Sequence, residues 1–208
     1  MFDRYVADLW LVRHGESTAN AGLPTESPSS SPLTELGRSQ AQAFADNFTE
    51  RPRRIFVSPF LRAQQTADPL LNRLSYKGIV RPIQEWTFLS PEKYFGTTQD
   101  QRRTAVLEYI KTAHAWDVDG PGAESFMGLL TRAYDFLEEV ACLPPSSGPV
   151  IAFTHGRFIK AILWRLKRRV LRHDSLQDYW EFSENYDVPN VSVTRLKLTQ
   201  CWSVTSPA

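Results

Sequence analysis

Three short apolar segments, each followed at once by polar or glycine residues, constrain the fold of this chain more than any other feature. Residues 9–12 lead into Arg-His-Gly, Arg54–Val57 into Ser-Pro, and Val150–Thr154 into His-Gly. Apolar runs this short, bounded by turn-forming residues, are typical of strands that are buried on both faces. Segments with helical periodicity separate them, as in sheets whose strands run parallel. The sequence therefore predicts an α/β fold with three layers, α/β/α, around a mainly parallel central sheet.

Helical periodicity covers much of the chain between and after these strands. Thr34 is the predicted N-cap of the first helix, which would carry Leu36 and Phe44 on its apolar face, and Pro59 suits the first turn of the second. Apolar spacing predicts further helices over residues 99–115, 125–142 and 157–171. The remaining predicted features are a surface loop over 21–32, a weak strand within 77–85, and one or two late strands within 190–204.

Length and charge limit the kinds of function that the chain can have. Its 208 residues suit one domain spanning residues 1–208, and a 42% apolar composition argues against disorder. A formal net charge of +1 provides no overall field that would attract nucleic acid or an anionic membrane. The basic stretch at residues 164–173 is interpreted as a solvated helix face. We therefore expect a small-molecule ligand, with neither a nucleic-acid nor a membrane partner.

The N-terminal residues and the apolar runs also bear on location. The first ten residues contain two aspartates and lack the apolar core of a signal peptide. No apolar run approaches the roughly 20 residues that a membrane helix needs. We therefore expect a cytoplasmic protein.

Polar side chains at the strand ends indicate where a ligand would bind. In parallel α/β sheets the ligand lies beyond the carboxyl ends of the strands. His14 and His155 follow two predicted strands directly, and Arg13 and Arg62 lie beside the same edge. Two guanidinium groups and two imidazoles around one point suit a tetrahedral dianion such as phosphate. Gly15 and Gly156 would leave room for that ligand to approach the backbone.

Four sequence blocks together resemble those of the histidine phosphatase superfamily, the phosphoglycerate-mutase-like family. They are "LVRHGES" at residues 11–17, "SPFLRAQQTA" at 58–67, "GAES" at 122–125 and "FTHG" at 153–156. The blocks occur in the order of the family and span most of the chain. The resemblance implies the fold predicted above and phosphoryl transfer as the chemistry.

The resemblance also implies roles for individual residues. His14 would be the nucleophile that becomes a phosphohistidine, while Arg13, Arg62 and His155 would hold the phosphoryl group. Asn20, after the "RHGE" block, would add a contact to the phosphoryl group. The set needs no metal and no cofactor, and the sequence has no cluster of ligands at metal-binding spacing.

The family also uses an acid that protonates the leaving oxygen. Glu85, which follows the weak third strand, is the predicted acid; Glu92 and Glu124 are the alternatives.

Several alternatives remain open at the level of sequence. Metal-independent hydrolysis of a phosphomonoester is favoured, because residues 18–37 lack the segment that mutases of the family share after "RHGES". Two alternative functions are phosphoglycerate-mutase-type phosphoryl transfer and a catalytically weak binding module on the same fold. Arg102 and Arg103 would suit a second anionic group on the substrate, whose identity stays open. The sequence predicts no oligomeric state and no role for Glu16.

Overall fold

A six-stranded sheet forms the centre of the computed structural model, which describes residues 7–144, 147–167, 175–198 and 202–206. The strands are β1 (Ala7–Arg13), β2 (Arg54–Val57), β3 (Ile79–Val80), β4 (Val150–Thr154), β5 (Val193–Leu198) and β6 (Trp202–Ser206). Their order across the sheet is β3-β2-β4-β1-β5-β6. The first four strands in that order are parallel, and β5 and β6 extend the sheet antiparallel at one edge. The predicted α/β class with a mainly parallel sheet is confirmed.

Helices cover both faces of this sheet. They are α1 (Glu35–Asn47), α2 (Leu61–Leu74), α3 (Gln99–Thr112), α4 (Phe126–Ala141), α5 (Gly156–Lys167) and α6 (Leu176–Asn185), with a short 3-10 helix at Pro91–Lys93.

Side chains that alternate along β1 show how the layers pack. Trp10 and Val12 belong to the core beneath α1 and α2, whereas Leu9 and Leu11 belong to the larger core beneath α4 and α5. Such alternation follows from the two-residue period of a strand. The predicted three-layer arrangement is therefore confirmed.

Two predicted element bounds and one predicted buried position differ from the structure. Helix α2 begins at Leu61, so Pro59 lies before the helix and not in its first turn. The third strand contains only two residues, after which the chain turns away toward Glu85. Leu36 is exposed, because the face of α1 that packs on the sheet carries Ala41 and Ala45 instead. The other predicted positions on α1 and α4 are confirmed, including Thr34 as N-cap and the apolar face of α4.

Helix α6 is absent from the sequence predictions, and the end of the basic stretch before it falls on residues that the structure does not describe. The helix was not predicted, since its buried face consists of only Leu176, Tyr179 and Ser183 among polar residues. Residues 168–173 of the basic stretch, which include the predicted end of the helix over 157–171, lie outside the described residues. Within the described ranges, every helix is too short or too polar to cross a membrane.

Candidate active site

The carboxyl ends of β1, β2 and β4 meet beside a single polar cavity of about 520 Å³. The backbone N–H of His14 donates to the carbonyl of Thr154 at 3.0 Å, and that of Ser58 donates to Phe153 at 3.0 Å. These bonds continue the parallel ladder one residue past each strand. Of the predicted site residues, Arg13, His14, Asn20, Arg62, Glu85 and Gly156 line the cavity.

The imidazole of His14 is held by a hydrogen bond at each ring nitrogen. Nδ1 lies 2.7 Å from the carbonyl oxygen of Gly15, and Nε2 accepts a bond from Arg62 Nε at 3.0 Å. Because a carbonyl can only accept, the proton belongs on Nδ1 and the lone pair on Nε2. Burial, reinforced by the Arg62 and Arg13 charges, lowers the pKa of His14 well below its usual value, despite the opposing bond to Gly15. His14 is therefore neutral at pH 7, with its lone pair on Nε2.

Arg62 is the buried cation next to that nitrogen. Its Nη1 donates to the carbonyl of Pro28 at 2.8 Å, and its guanidinium lies 5.2 Å from the centre of the Phe60 ring. Burial lowers the pKa of Arg62 to about 10, so the group keeps its charge at neutral pH. A guanidinium can bind two oxygens of an anion at once, and this one lies on the cavity lining beside His14 Nε2.

Arg13 supplies a second cation from the end of β1. Its Nη1 donates to the carbonyl of Val188 at 2.5 Å, whereas Nε is buried without a hydrogen-bond partner in the described parts of the chain. An open donor on a cavity wall is available to an incoming anion.

His155 lies next to His14 but is fully buried. The two ring centroids are 5.0 Å apart, and Nε2 of His155 lies 2.7 Å from the hydroxyl of Ser58. Burial, with the Arg62 charge as the next cause, lowers the pKa of His155 well below its usual value. Its Nδ1 has no partner in the described chain. His155 is absent from the cavity lining and packs beside His14 from the protein side.

Of the three candidate acids, Glu85 is the one on the cavity wall. Its carboxylate accepts the backbone N–H groups of Trp86 and Arg157, both at 3.1 Å. Glu92 is exposed beyond the wall, with Ser90 Oγ at 3.4 Å from its carboxylate. Glu124 forms a two-pronged ion pair with Arg132 at 2.6 and 2.7 Å. Neither alternative lines the cavity.

Comparison with known proteins agrees with this geometry. The family model described as histidine phosphatase superfamily (branch 1) matches residues 9–204. The chain belongs to the histidine phosphatase superfamily. A metal-independent phosphoserine phosphatase of Arabidopsis thaliana is 29% identical over 171 residues, covering 77% of this chain and 69% of that protein.

Two further relatives cover more of the chain. A probable phosphoglycerate mutase of Yersinia pestis is 31% identical over 199 residues, covering 83% of this chain and 85% of its own length. A solved structure called mycobacterial hydrolase 1 superposes with a TM-score of 0.73 at 25% identity, covering 97% of this chain and 98% of that one. The superfamily thus contains proteins of both names, phosphatase and mutase.

Two residues of the superfamily's "RHGE" block, Gly15 and Glu16, have contacts that fix the position of the backbone. A Cβ on Gly15 would stand 2.7 Å from the carbonyl oxygen of Gly37 in α1. The close crossing of these two backbone segments therefore requires a glycine at residue 15. The expected reason, room for the ligand, does not explain it. Glu16 accepts a bond from the Thr34 hydroxyl at 2.7 Å, and its N–H donates to Gln40 at 2.8 Å. Glu16 therefore ties the block to the start of α1.

Asn20 and Gly156 both line the cavity, and their surroundings differ. The carbonyl oxygen of the Asn20 side chain accepts bonds from the N–H and hydroxyl of Ser17, at 3.2 and 3.0 Å. A Cβ on Gly156 would lie 3.6 Å from Arg13 Nε, an ordinary contact. Packing in this member of the superfamily thus tolerates a small side chain at residue 156, unlike at residue 15.

Arg102 and Arg103 both line the cavity, in unequal states. Arg102 is buried, stacks on Tyr94 at 4.6 Å, and donates to the carbonyl and hydroxyl of Thr97 at 2.6 and 2.8 Å. Arg103 is exposed at the same wall. Arg102 therefore holds the wall together, while Arg103 is the more available of the two to a ligand.

Sequence reasoning missed the wall that α5 and α6 contribute. Arg157 and Lys160 line it from α5, and Trp180 and Glu184 from α6. The Arg157 guanidinium stacks on the Trp180 ring at 4.3 Å, and Nη2 of Arg157 lies 3.9 Å from Oε1 of Glu184. The sequence signal that could have indicated this wall was the three-residue spacing of Arg157 and Lys160 directly after "THG". The described residues contain no group of three or more His, Cys, Asp or Glu side chains positioned for a metal.

Proposed function

We propose that this protein is a metal-independent phosphatase that hydrolyses a small phosphomonoester through a phosphohistidine on His14. The observation that carries the proposal is the bonding of the His14 ring. A proton on Nδ1, facing the Gly15 carbonyl at 2.7 Å, leaves the Nε2 lone pair on the side of Arg62 and the cavity. A neutral imidazole with this orientation is a ready nucleophile beside a site for an anion.

In the first step, His14 Nε2 attacks phosphorus and the bond from phosphorus to the ester oxygen breaks. Arg62 turns its donors from Nε2 to the phosphoryl oxygens, where Arg13 Nε also has a free donor. These charges stabilise the transferring group, since positioning and electrostatics dominate phosphoryl transfer. Glu85, protonated, gives its proton to the leaving oxygen, so that an alcohol departs in place of an alkoxide.

In the second step, water attacks phosphorus and the bond to Nε2 breaks. The Glu85 carboxylate accepts a proton from that water and returns to its acid form. Inorganic phosphate leaves, and His14 is again the neutral Nδ1–H tautomer. The low pKa of the buried His14 favours this return.

The charge of the cavity supports a monophosphate substrate and hydrolysis over mutase chemistry. Within the described lining there are six cations and four carboxylates: Arg13, Arg62, Arg102, Arg103, Arg157 and Lys160, with Glu85, Asp100, Glu184 and Asp187. With Glu85 protonated, as the first step requires, three carboxylates remain, and the excess of three positive charges is enough to offset one phosphate dianion. A bisphosphorylated cofactor, which mutase transfer would require, brings more negative charge than this excess offsets. The relative named as a phosphoserine phosphatase points the same way.

A panel of phosphomonoesters assayed in EDTA tests the proposal. The wild type is expected to release phosphate, and His14→Ala to lose at least 10³-fold in kcat, an order-of-magnitude expectation for removing a nucleophile. His114→Ala is the matched control, because His114 is an exposed histidine far from the cavity lining.

Three outcomes would contradict the proposal. Undiminished hydrolysis by His14→Ala would exclude the phosphohistidine. Interconversion of phosphoglycerates that depends on 2,3-bisphosphoglycerate, with little hydrolysis, would establish a mutase. Binding of inorganic phosphate without turnover of any ester would establish the binding module.

A further inference from the structure

The segment 188–192, between α6 and β5, runs along the backbone that carries the nucleophile. The carbonyl of Val188 accepts Arg13 Nη1 at 2.5 Å, and the N–H of Val191 donates to the Arg13 carbonyl at 3.0 Å. The N–H of Arg13 donates to Ser192 at 3.2 Å, and Asn190 Nδ2 donates to the His14 carbonyl at 2.8 Å. Four hydrogen bonds thus join this segment to two consecutive residues, Arg13 and His14.

The backbone of Val191 shows how firmly this segment is held. Its φ is 61°, in the left-handed region that a β-branched residue rarely adopts. Such a conformation persists only where the surroundings over-determine it. Here the surroundings are the bonds to Arg13 and His14, so the turn and the strand end constrain each other.

Asn190 acts on one particular peptide group, the one between His14 and Gly15. Its amide donates to the oxygen of that peptide, and the N–H of the same peptide donates to the Thr66 hydroxyl at 3.0 Å. A carbonyl can only accept, so the side-chain nitrogen of Asn190 must face it. The peptide plane is therefore held at both ends by side chains from separate elements.

The orientation of this peptide passes directly to the catalytic ring. The next carbonyl along the chain, that of Gly15, accepts the Nδ1 proton of His14 at 2.7 Å. Rotation of the preceding peptide would swing that carbonyl away from Nδ1. The ring would then lose the bond that keeps its proton on Nδ1 and its lone pair on Nε2.

We propose that Asn190 is a positioning residue for the nucleophile, one that holds the His14–Gly15 peptide so that the Gly15 carbonyl maintains the Nδ1–H tautomer of His14. The kinetic part rests on the proposed function; the tautomer part does not. Thr66 shares the task, but its hydroxyl also donates to the Arg62 carbonyl at 2.6 Å. Asn190 is the cleaner target, because its side chain makes one hydrogen bond within the described chain.

The test compares Asn190→Ala and Asn190→Asp with Asn185→Ala. Asn185 is a matched control, since its Nδ2 also donates to a carbonyl, that of Glu181 at 2.9 Å, on an exposed part of α6. Each variant is assayed for kcat and KM on an alkyl phosphate. The ring nitrogens of ¹⁵N-histidine-labelled protein are recorded by NMR, with the His14→Ala spectrum identifying the His14 signals.

Both Asn190 variants are expected to lower kcat roughly 10- to 100-fold, the size of effect that a small misplacement of a catalytic group produces. KM is expected to stay within about twofold, because the phosphate-binding side chains remain. The His14 signals are expected to shift from a single Nδ1–H tautomer toward a mixture. Asn185→Ala is expected to match the wild type in every measurement.

An unchanged His14 tautomer in a folded Asn190 variant overturns the proposal, whether or not activity falls, because a merely structural role would leave the ring signals in place. Asn190→Asp keeps the shape of the side chain but has no donor for the His14 carbonyl, so it decides the matter if Asn190→Ala does not fold. If the wild type hydrolyses no ester, the proposed function fails, and the ring signals still decide the role of Asn190.

Discussion

The phosphate centre and the α3 wall, two regions at the same cavity, are built in opposite ways. The phosphate centre, named for its proposed role, consists of Arg13, His14 and Arg62 on the cavity lining, with His155 packed beside His14. The α3 wall consists of the four exposed residues of α3 that line the cavity, Gln99, Asp100, Arg103 and Leu107, and excludes the buried Arg102. His14, Arg62 and His155 are each no more than 7% exposed. The four members of the α3 wall are all exposed.

This difference in burial follows from the way each region is held. Strand ends and backbone hydrogen bonds fix the phosphate centre, so a change there disturbs packing and chemistry together. Side chains on one face of a helix make up the α3 wall, where a change alters only what the ligand meets. We therefore expect the reaction to depend on the sheet edge and substrate choice to depend on the surrounding helices.

The sharpest test on the side of the phosphate centre is Glu85→Gln, which removes the proposed acid and keeps its shape. The value of kcat/KM, which reports the steps up to formation of the phosphoenzyme, is expected to fall roughly 10²- to 10⁴-fold on alkyl phosphates, whose leaving oxygen needs a proton. The fall in kcat/KM on p-nitrophenyl phosphate is expected to be far smaller, because its leaving group needs little protonation. Glu92→Gln is the control and should match the wild type. Equal losses on both substrates would contradict the role of Glu85.

The two buried histidines make the stability of the phosphate centre depend on pH. Burial lowers the pKa of both His14 and His155 well below 6.5, so the unfolded chain takes up protons that the folded chain does not. The free energy of unfolding should therefore fall as pH drops below 6.5, by up to about 1.4 kcal/mol per pH unit for each histidine. Urea unfolding between pH 7 and pH 5 measures this slope.

Substitution of one histidine isolates its share of that slope. His155→Gln should reduce the slope by the contribution of one histidine, whereas His114→Ala, an exposed position, should leave it unchanged. An identical slope in His155→Gln and in the wild type would show that His155 is not held neutral by burial.

The next prediction concerns backbone packing at Gly15, next to His14. Gly15→Ala places a methyl group 2.7 Å from the Gly37 carbonyl and should destabilise the fold by about 1–3 kcal/mol. Gly156→Ala, whose Cβ meets atoms no nearer than 3.6 Å, is the control and should change stability much less. Urea unfolding at pH 7.5 compares the two. Equal effects would mean that the crossing with Gly37 does not require the glycine.

The smallest effect is expected on the α3 wall. Arg103→Ala should raise KM by up to about fivefold for a phosphomonoester with a second anionic group, as for loss of one exposed ion pair. kcat should not change, since Arg103 does not touch the phosphate centre. Steady-state kinetics on esters with and without that group measure the difference. A large loss of kcat would contradict the division between the two regions.

The phosphate centre was predictable from sequence to the extent that it depends on strand ends. The observed bounds of β2 and β4 match the predicted ones, and polar residues directly after them had to meet at one edge. Gly15 and Glu16 were not explicable in the same way. Gly15 is explained by its contact with Gly37, and Glu16 by its hydrogen bond with Thr34. Both contacts form only when α1 folds back over the sheet edge.

The walls around the centre were less predictable, because their signals are weak in the sequence. Helix α6 buries only three residues, too few for a clear periodicity. The choice among Glu85, Glu92 and Glu124 depended on where a loop turns after a two-residue strand. Local patterns do not encode that turn, whereas the tertiary structure places Glu85 on the cavity wall.

The most direct test of the central claim is to trap the phosphoryl group on the enzyme. Glu85→Gln, mixed with p-nitrophenyl phosphate and quenched in alkali, should accumulate a phosphoenzyme, because the first step needs little acid and the second lacks its base. Peptide mass spectrometry should locate the phosphoryl group on His14, in an alkali-stable and acid-labile linkage. Phosphate found on another residue, or none on His14 while turnover proceeds, would contradict the account.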